Sequence, residues 1–533
     1  MNFRDFISSF LLVLFATVVV QYFMHSFFPG TDKKLPTDIK SGQSVQVAMQ
    51  DLTRPLNGDV DFYDVQVGKD ASVYQKTMTN YAQGSALFSA YGATLQSHND
   101  LVRSPKGNLI HTFSFTTVDE KQPQEQRAFL VAIDKQTPLT FEQIKNSEHE
   151  KGTTLVYRSA SPQAVIEKEF LIYKDQNRID LTLTIDPREG ARDGVRPRIF
   201  LPGPLFEDAA NGAIDDMVMT GFVNSNNGSI VKKSIDELND QAWAHPTLFG
   251  VEGRYGVHAL IADTNNFAIR GFFIAQAAKS MTAVIEGPLV HEKTIWTMSF
   301  YCGPKEQHSM TMVDARLEQL LKYGWFAWLS RGLVYVLKSF YDIFGNFGWA
   351  IIFFALLLRL ILLPLTIKGD RVQLRNQKRQ GDLERKMKYL SEKYRDDREA
   401  FAKAKNEAYQ EFGAGSDMLV GMLPNIIMLV VFTTLQKVLS YSPYLYKAPF
   451  LLFYTDLSAA DPYYVLPMMM GLFVFVNAFT IKSNRMRLVL IFVGLVSMGF
   501  LAKFSAGALL FLVVYQGIQT IQSFFVKKYC SIK

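Results

Sequence analysis

An apolar stretch of about 22 residues, Gly345 to Thr366, constrains the fold of this chain more than any other feature. As a helix it is long enough to cross a hydrocarbon core of roughly 30 Å. Its one charged residue is Arg359. A guanidinium at that depth costs at least ~2.5 kcal/mol, so we expect it to face a wet cavity or a partner rather than lipid. Snorkelling towards the headgroups is the alternative, because Thr366 lies only about 10 Å further along the helix axis.

The composition predicts a membrane protein that carries one large soluble domain. The chain has 533 residues, 48% of them hydrophobic, and a net charge of +6. Long apolar runs near both ends flank a polar middle of about 270 residues. The two cysteines, Cys302 and Cys530, are expected on opposite sides of the membrane. The soluble domain is therefore expected to be stabilised by its own core rather than by a disulfide.

The first apolar run, Phe6 to Phe28, has about 23 residues and fits a spanning helix. A cleaved signal peptide would have a shorter core and a small-residue cleavage site, but this run leads into the polar sequence PGTDKKLPTD. We therefore expect residues 1–30 to form an uncleaved transmembrane anchor and residues 31–43 to form a linker.

Residues 44–310 show apolar residues with period two and frequent turn residues, the pattern of many strands. This pattern predicts a large all-β sandwich domain. It contains no P-loop, nucleophile elbow or paired-cysteine metal motif. Five of its histidines are scattered singly and are expected to be structural: His98, His111, His149, His245 and His258. We expect a binding or scaffolding domain with no catalytic residues, no metal site and no cofactor, in a protein that is not an enzyme.

Residues 321–344 are aromatic and apolar on one face and carry Arg331, Lys338 and Asp342 elsewhere. This composition is typical of an amphipathic helix lying in the membrane interface. A further membrane-core helix is the alternative.

A charged segment, 368–417, follows the arginine-bearing stretch. Apolar residues recur three to four apart in its two halves, separated by the turn sequence YRDDREA. An exposed helical hairpin is predicted, with a merely solvated connector as the alternative. Its excess of basic residues places it in the cytoplasm.

The spans of the membrane core are predicted from the apolar runs, and their orientation from the charges between them. The runs cover residues 345–366, 419–439, 464–481, 488–500 and 506–526. Basic residues cluster between the third and fourth runs and after the last. The positive-inside rule then gives six spans with the anchor, both termini in the cytoplasm and the β domain outside.

Several polar residues within these spans are candidates for a hydrophilic groove around Arg359: Asn425, Gln436, Gln516 and Gln519. Such a groove would lower the cost of moving a polar or acidic segment into the membrane. The spans contain no acidic residue to neutralise Arg359, which favours transient attraction of negatively charged chains. A proton-coupled transporter would more often carry intramembrane Asp, Glu or His.

At four places the sequence resembles the YidC/Oxa membrane protein insertase family, in the long form of Gram-negative bacteria. These are YGWFAWLSRGLVYVLKSF…GNFGWAIIFFALLLRLILLPLT, the tripeptide APF, DLSAADPYYVLPMMMG and the closing YCGPK of the β region. The resemblance implies an anchor, a periplasmic β-sandwich and a five-helix insertase core. It identifies Arg359 with the family's groove arginine and the 368–417 hairpin with a receiver of incoming substrates.

The resemblance also implies apolar contacts to the nascent helix from Phe432, Met470 and Phe500. Some positions depart from the family pattern. Leu512 stands where the family has an aromatic residue, with Tyr515 nearby, and Met428 replaces a glutamine one turn after Asn425.

The expected function is a membrane protein insertase and chaperone of the bacterial inner membrane that acts through a positively charged groove. Its expected partners are nascent membrane proteins, the lipid bilayer, the Sec translocon with its accessory proteins by resemblance, and ribosomes or targeting factors at the hairpin. No direct nucleic-acid contact is expected. A small-solute transporter and a membrane-tethered periplasmic scaffold are the alternatives.

Overall fold

A computed structural model gives the fold. It describes residues 61–62, 75–81, 84–103, 107, 109–116, 127–133, 136–137, 140–188, 194–206, 219–224, 228–238, 241–276, 280–321, 327–394, 398–411, 417–446, 448–451, 454–479 and 484–530. The predicted anchor, 1–30, and linker, 31–43, lie outside the described residues.

The strands, in chain order, are β1 Asp61–Phe62, β2 Lys76–Tyr81, β3 Gly84–Ser89, β4 Thr94–Arg103, β5 Leu109–Thr116, β6 Leu130–Ile133, β7 Gln136–Thr137, β8 Glu142–Glu148, β9 Gly152–Ala160, β10 Ala164–Tyr173, β11 Arg178–Pro187, β12 Pro197–Pro202, β13 Leu205–Phe206, β14 Thr220–Asn224, β15 Ile230–Ser234, β16 Ala242–Ala244, β17 Phe249–Glu252, β18 Gly256–Asp263, β19 Arg270–Gln276, β20 Ser280–Glu286 and β21 Thr294–Pro304.

The described strands form three sheets. Their orders are β1-β7-β6-β12-β20-β19-β16, β15-β14-β17-β18-β21-β11-β10-β9-β8 and β13-β5-β4-β3-β2. Nearly every pairing is antiparallel; β1 and β7 are parallel. Buried apolar residues from all three sheets form one core, in which the ring of Phe170 lies against those of Phe88 and Phe129. A large β region is therefore confirmed as the middle of the chain.

The alternation read from the sequence appears in β10, where every second side chain points inward. Ile166, Phe170 and Ile172 are buried, and Phe170 pairs with Leu181 of β11 and Leu155 of β9. This is the period-two burial expected of a strand with one face on a core.

Lys168 occupies an inward position of the same strand and is fully buried. Its Nζ donates to the carbonyl oxygens of Gly92 (2.6 Å), Ala93 (3.3 Å) and Phe129 (2.7 Å), and lies 4.9 Å from the ring centroid of Phe141. Burial holds the pKa of Lys168 well below its ordinary value. Three carbonyl oxygens and one aromatic ring therefore lower the cost of burying Lys168 at a position where the period-two pattern predicts an apolar residue.

The helices, in chain order, are α1 Gln307–Val313, α2 Ala327–Phe344, α3 Phe347–Lys393, α4 Arg398–Glu411, α5 Asp417–Tyr441, α6 Val465–Ala478, α7 Asn484–Leu501 and α8 Ala506–Cys530. Short 3₁₀ turns cover Ile235–Glu237, Ala315–Leu320 and Pro443–Leu445.

The long helix α3 continues through Pro364 into the charged segment, rather than ending where the apolar stretch ends at Thr366. Within the described residues, one stretch is long and apolar enough to cross a membrane by length and composition, Phe347–Gly369. Three shorter apolar helical stretches accompany it: Ile427–Leu439, Val465–Ala478 and Ala506–Gln522.

The described residues fall into two compact units. The larger unit holds the sheets, α1, α2, α3 up to Arg359, and residues 430–520. The smaller unit holds residues 360–429 and the end of α8, where the side chains of Thr366 and Gln522 lie within hydrogen-bond distance at 3.2 Å. In the larger unit α6 and α7 pack closely, since a side chain at Gly471 would collide with Met498.

Candidate functional site

The arginine-bearing helix has an outward and an inward face, and Arg359 lies on the inward one. Leu356, Leu357, Leu360 and Ile361 are exposed, and Leu360 exposes 66% of its surface. Arg359 exposes 2%. The inward face repeats every three to four residues: Phe347, Ala350, Ile351, Phe354, Ala355, Arg359 and Leu362. A snorkelling arginine would carry its guanidinium to the surface, whereas protein atoms cover this one.

The guanidinium carbon of Arg359 lies 4.9 Å from the ring centroid of Tyr515 on α8. Attraction to the face of a buried ring lowers the cost of burying the charge without neutralising it. The two helices also stack Phe354 on Phe511, at a centroid distance of 5.7 Å, and Phe511 lies 6.0 Å from Tyr515. The packing of α3 on α8 therefore fixes the position of the charged group.

Two of the predicted polar residues, Gln516 and Gln519, follow Tyr515 on α8 and are half-buried. Thr520, one residue further, is buried; its hydroxyl donates to the carbonyl of Gln516 and accepts from Nδ2 of Asn477 at 3.1 Å. The stretch of α8 that begins at Tyr515, the ring beside Arg359, therefore carries several polar side chains.

Gln436 of α5 lies near the start of α8, away from Tyr515. Its Oε1 accepts from Ser505, which immediately precedes the helix, at 3.1 Å. Tyr515 lies ten positions after Ser505, about 15 Å along the axis. The side chain of Asn425 lies outside the described residues, although its backbone belongs to α5.

Phe432 and Phe500, both predicted to contact substrate, each pack against the ring of Phe504. Phe504 lies 5.6 Å from Phe432 and 5.2 Å from Phe500, measured between ring centroids. Phe500 is exposed, and Met470 and Leu512 are half-buried on α6 and α8. Phe504 was not among the predicted contact residues. Its aromatic side chain four positions after Phe500 could have indicated it.

Aromatic residues of the β domain contact the segment after α5, a contact that no pattern in the sequence predicts. Tyr446 is buried, with ring centroids 4.9 Å from Tyr255, 5.5 Å from Phe113 and 5.6 Å from His111. The Tyr255 hydroxyl also lies 3.3 Å from Ser458 Oγ. The β domain therefore packs directly against the connection between α5 and α6.

A second feature that sequence reasoning missed joins two of the histidines taken singly above. His258 Nδ1 donates to the carbonyl of Pro202 at 2.7 Å, so its Nε2 accepts from His98 Nε2 at 2.9 Å. His98 Nδ1 lies 2.7 Å from an Asp100 carboxyl oxygen. Burial, and then the charge of His98, lower the pKa of His258 to about 3. All three side chains are inside the core, which gives them a structural role.

Two family models match adjoining parts of the chain. The model described as the YidC periplasmic domain matches residues 91–336, and the model described as the 60Kd inner membrane protein matches residues 339–533. The first covers strands β4 to β21, and the second covers Arg359, Tyr515 and the helices around them.

Curated relatives carry the name membrane protein insertase YidC. The protein from Geobacter sp. (strain M21) is 30% identical over 301 residues, which are 55% of this chain and 51% of that protein. The protein from Citrifermentans bemidjiense is 32% identical over 261 residues, 48% of this chain and 46% of that protein. This chain spans about half the length of these curated relatives.

A solved structure described as an active YidC insertase with its first transmembrane domain resolved is 15% identical, with a TM-score of 0.35, and covers 91% of this chain and 97% of that one. The motifs around Arg359 had predicted the family, and the two family models together with the curated relatives confirm it. The chain belongs to the YidC/Oxa membrane protein insertase family.

Proposed function

We propose that this protein is an insertase and chaperone for proteins of the bacterial inner membrane, with Arg359 as the positive charge of a hydrophilic groove. One observation carries the proposal: the guanidinium lies on the inward face of α3, 2% exposed, over the ring of Tyr515. The family and the printed names of the relatives support the same activity.

The chemistry follows from a cation that is held among apolar helices. The apolar segments 347–369, 427–439, 465–478 and 506–522 contain no Asp or Glu in the sequence. The ring of Tyr515 attracts the cation without itself bringing an opposite charge. An acidic segment entering the groove would gain roughly 1.7 kcal/mol from one charge 10 Å away at an effective dielectric constant of 20. Its apolar flank would then leave between the helices into lipid.

The full topology belongs to the same proposal. It comprises six spans, with the anchor at 1–30, a periplasmic β domain, and both termini and the 368–417 hairpin in the cytoplasm. The groove would be lined by Asn425, Gln436, Gln516 and Gln519, and exiting helices would contact Phe432, Met470, Phe500 and Leu512. Substrates would arrive at the hairpin, from ribosomes or targeting factors, and some would be shared with the Sec translocon.

The test compares two substrates in vesicles that contain the purified full-length protein. One is a short membrane protein with an acidic translocated region, and the other differs only by neutral residues at the acidic positions. Arg359→Ala should slow insertion of the acidic substrate about tenfold and change the neutral one less than threefold, because only the acidic chain loses the attraction. Arg359→Lys, which keeps the charge, is the matched control.

Equal slowing of both substrates by Arg359→Ala would contradict the electrostatic role of the groove. Solute or ion flux through the same vesicles, with no protein substrate added, would point to the transporter instead.

A further inference from the structure

A cavity of about 290 Å³ lies where the end of the β domain meets α2 and the end of α5. Its floor is buried and polar, and includes Lys305, Glu306, Ser330 and Tyr444. Lys338 of α2 contributes to the wall, and Lys437 of α5 to the exposed rim. Three ammonium groups and one carboxylate therefore line a space near the usual lower size of a small-molecule site.

The carboxylate of the cavity is already satisfied by its neighbours. Tyr444 and Ser309 donate hydroxyl hydrogen bonds to Glu306, the latter at 2.7 Å, and the Lys338 ammonium lies 3.5 Å from it. Lys338 also lies 3.6 Å above the centroid of the Tyr444 ring. Lys338 therefore offsets the charge of Glu306, and the net positive charge of the cavity comes from Lys305 and Lys437.

Lys305 forms an ion pair with Glu252, which also pairs with Lys232. Glu252 lies 2.7 Å from both Lys305 and Lys232 and is itself buried. Burial alone would raise the pKa of Glu252, but the two lysines lower it below its ordinary value. This inner cluster adds a positive charge rather than a negative one to the surroundings of the cavity.

Lys437 forms no ion pair with any residue that the structure describes, and its side chain is exposed. It precedes the apolar pair Val438 and Leu439 at the end of α5. In the proposed topology this is the periplasmic end of a span, where the positive-inside rule disfavours a lysine. An anionic partner would offset that cost.

The two faces of α2 indicate the depth of the cavity relative to the lipid headgroups. Ser330, Val334 and Lys338 line the cavity at helical spacing. On the opposite face Trp328 and Tyr335 expose 73% and 68% of their surfaces. Exposed Trp and Tyr on an amphipathic helix are typical of the headgroup layer, so the cavity and the headgroups share one depth.

We propose that this cavity binds the phosphate group of an anionic phospholipid of the periplasmic leaflet, with Lys437 as its exposed contact and Lys338 at its wall. The proposal rests on the topology given under the proposed function, but not on the mechanism of insertion. A lipid bound there would bridge the β domain, α2 and α5.

The experiment measures lipids retained by the purified full-length protein after mixing with vesicles of equal parts phosphatidylglycerol and phosphatidylcholine. We expect wild-type protein to retain phosphatidylglycerol preferentially. Lys437→Gln should lower that preference about fivefold, the effect of ~1 kcal/mol for one lysine near a charged lipid. The matched control is Lys503→Gln, which removes an exposed lysine from the proposed periplasmic side, outside the cavity. It should change the preference less than twofold.

A second variant, Thr311→Trp, fills the cavity from α1 without changing charge and should also lower the preference. Equal losses in the Lys437 and Lys503 variants, or no loss in either cavity variant, would overturn the proposal. Displacement of retained phosphatidylglycerol by millimolar inorganic phosphate alone would overturn the lipid as the occupant in favour of a free anion. Insertion plays no part in this measurement, so its outcome is independent of the Arg359 test.

Discussion

Arg359 and Tyr515 lie on two different helices, and the guanidinium of one is 4.9 Å from the ring centroid of the other. The pair explains how a charge is kept among apolar helices whose apolar segments contain no Asp or Glu: an aromatic face covers one side of the guanidinium. The pair also links α3 to α8. The position of the charge therefore depends on the packing of these two helices, including the stack of Phe354 on Phe511.

The ring of Tyr515 should matter more than its hydroxyl group. Tyr515→Leu removes the aromatic face and should destabilise the folded protein by about 0.5–2 kcal/mol, the range for a cation over a ring. Tyr515→Phe keeps the face and should remain close to wild type. Thermal unfolding of both variants in the same detergent measures the difference. Equal losses in the two variants would assign the stabilisation to the hydroxyl group instead.

The aromatic residues around Tyr446 should hold the segment after α5 in place. Tyr446→Ala removes a buried ring from contact with Phe113 and Tyr255 and should cost about 3–5 kcal/mol, as for other large aromatic truncations. Hydrogen exchange of residues 443–451 should become markedly faster. Tyr446→Phe keeps the ring and serves as the control. Unchanged protection in the alanine variant would show that these contacts do not anchor this segment.

The β domain should lose stability in acid because of His258. Its pKa is about 3 in the folded state, against an ordinary value of 6.5, because burial disfavours the charged ring. The unfolded chain therefore takes up the proton first. The contribution of His258 to stability is complete above pH 6.5 and falls by about 1.4 kcal/mol per pH unit as the pH drops towards 3.

Denaturant unfolding of the full-length protein at pH 7, 6 and 5, followed by tryptophan fluorescence, measures this slope. In the variant His258→Gln the decline between pH 6 and 5 should be smaller by about 1 kcal/mol, since the titrating group is gone. Parallel pH profiles of the two proteins would mean that His258 does not carry the effect.

Much of the β domain could be predicted from the sequence because its strands obey a local rule. The alternation in β10 predicts which of its side chains point inward. Lys168 breaks that rule, and its compensation comes from Gly92, Ala93 and Phe129, which are far away in the chain. A period in the sequence contains no information about such partners. The same is true of His98 and His258, which are separated by 160 positions.

The site was predictable in one respect and not in another. Arg359 was evident because a charge inside an apolar stretch is costly and needs a reason. Its placement over Tyr515 depends on the packing of α3 against α8, which composition does not determine. Gln436 of α5 illustrates the same limit: its polarity suggested a groove residue, while its contact with Ser505 places it near the start of α8, about 15 Å from Tyr515 along the axis. Helix α3 continues past Thr366 because its charged second half keeps a helical spacing of apolar residues.

An entering acidic segment should pass along the inward face of α3 and not along its lipid-facing side. The most direct measurement is photocrosslinking of a stalled nascent chain with an acidic segment, from probes placed singly at Gln516 and at Leu360, which exposes 66% of its surface on the outward face. We predict strong crosslinks from position 516 that weaken at least fivefold in an Arg359→Ala background, and weak crosslinks from position 360. Crosslinks of equal strength from both positions, unchanged by Arg359→Ala, would contradict the account.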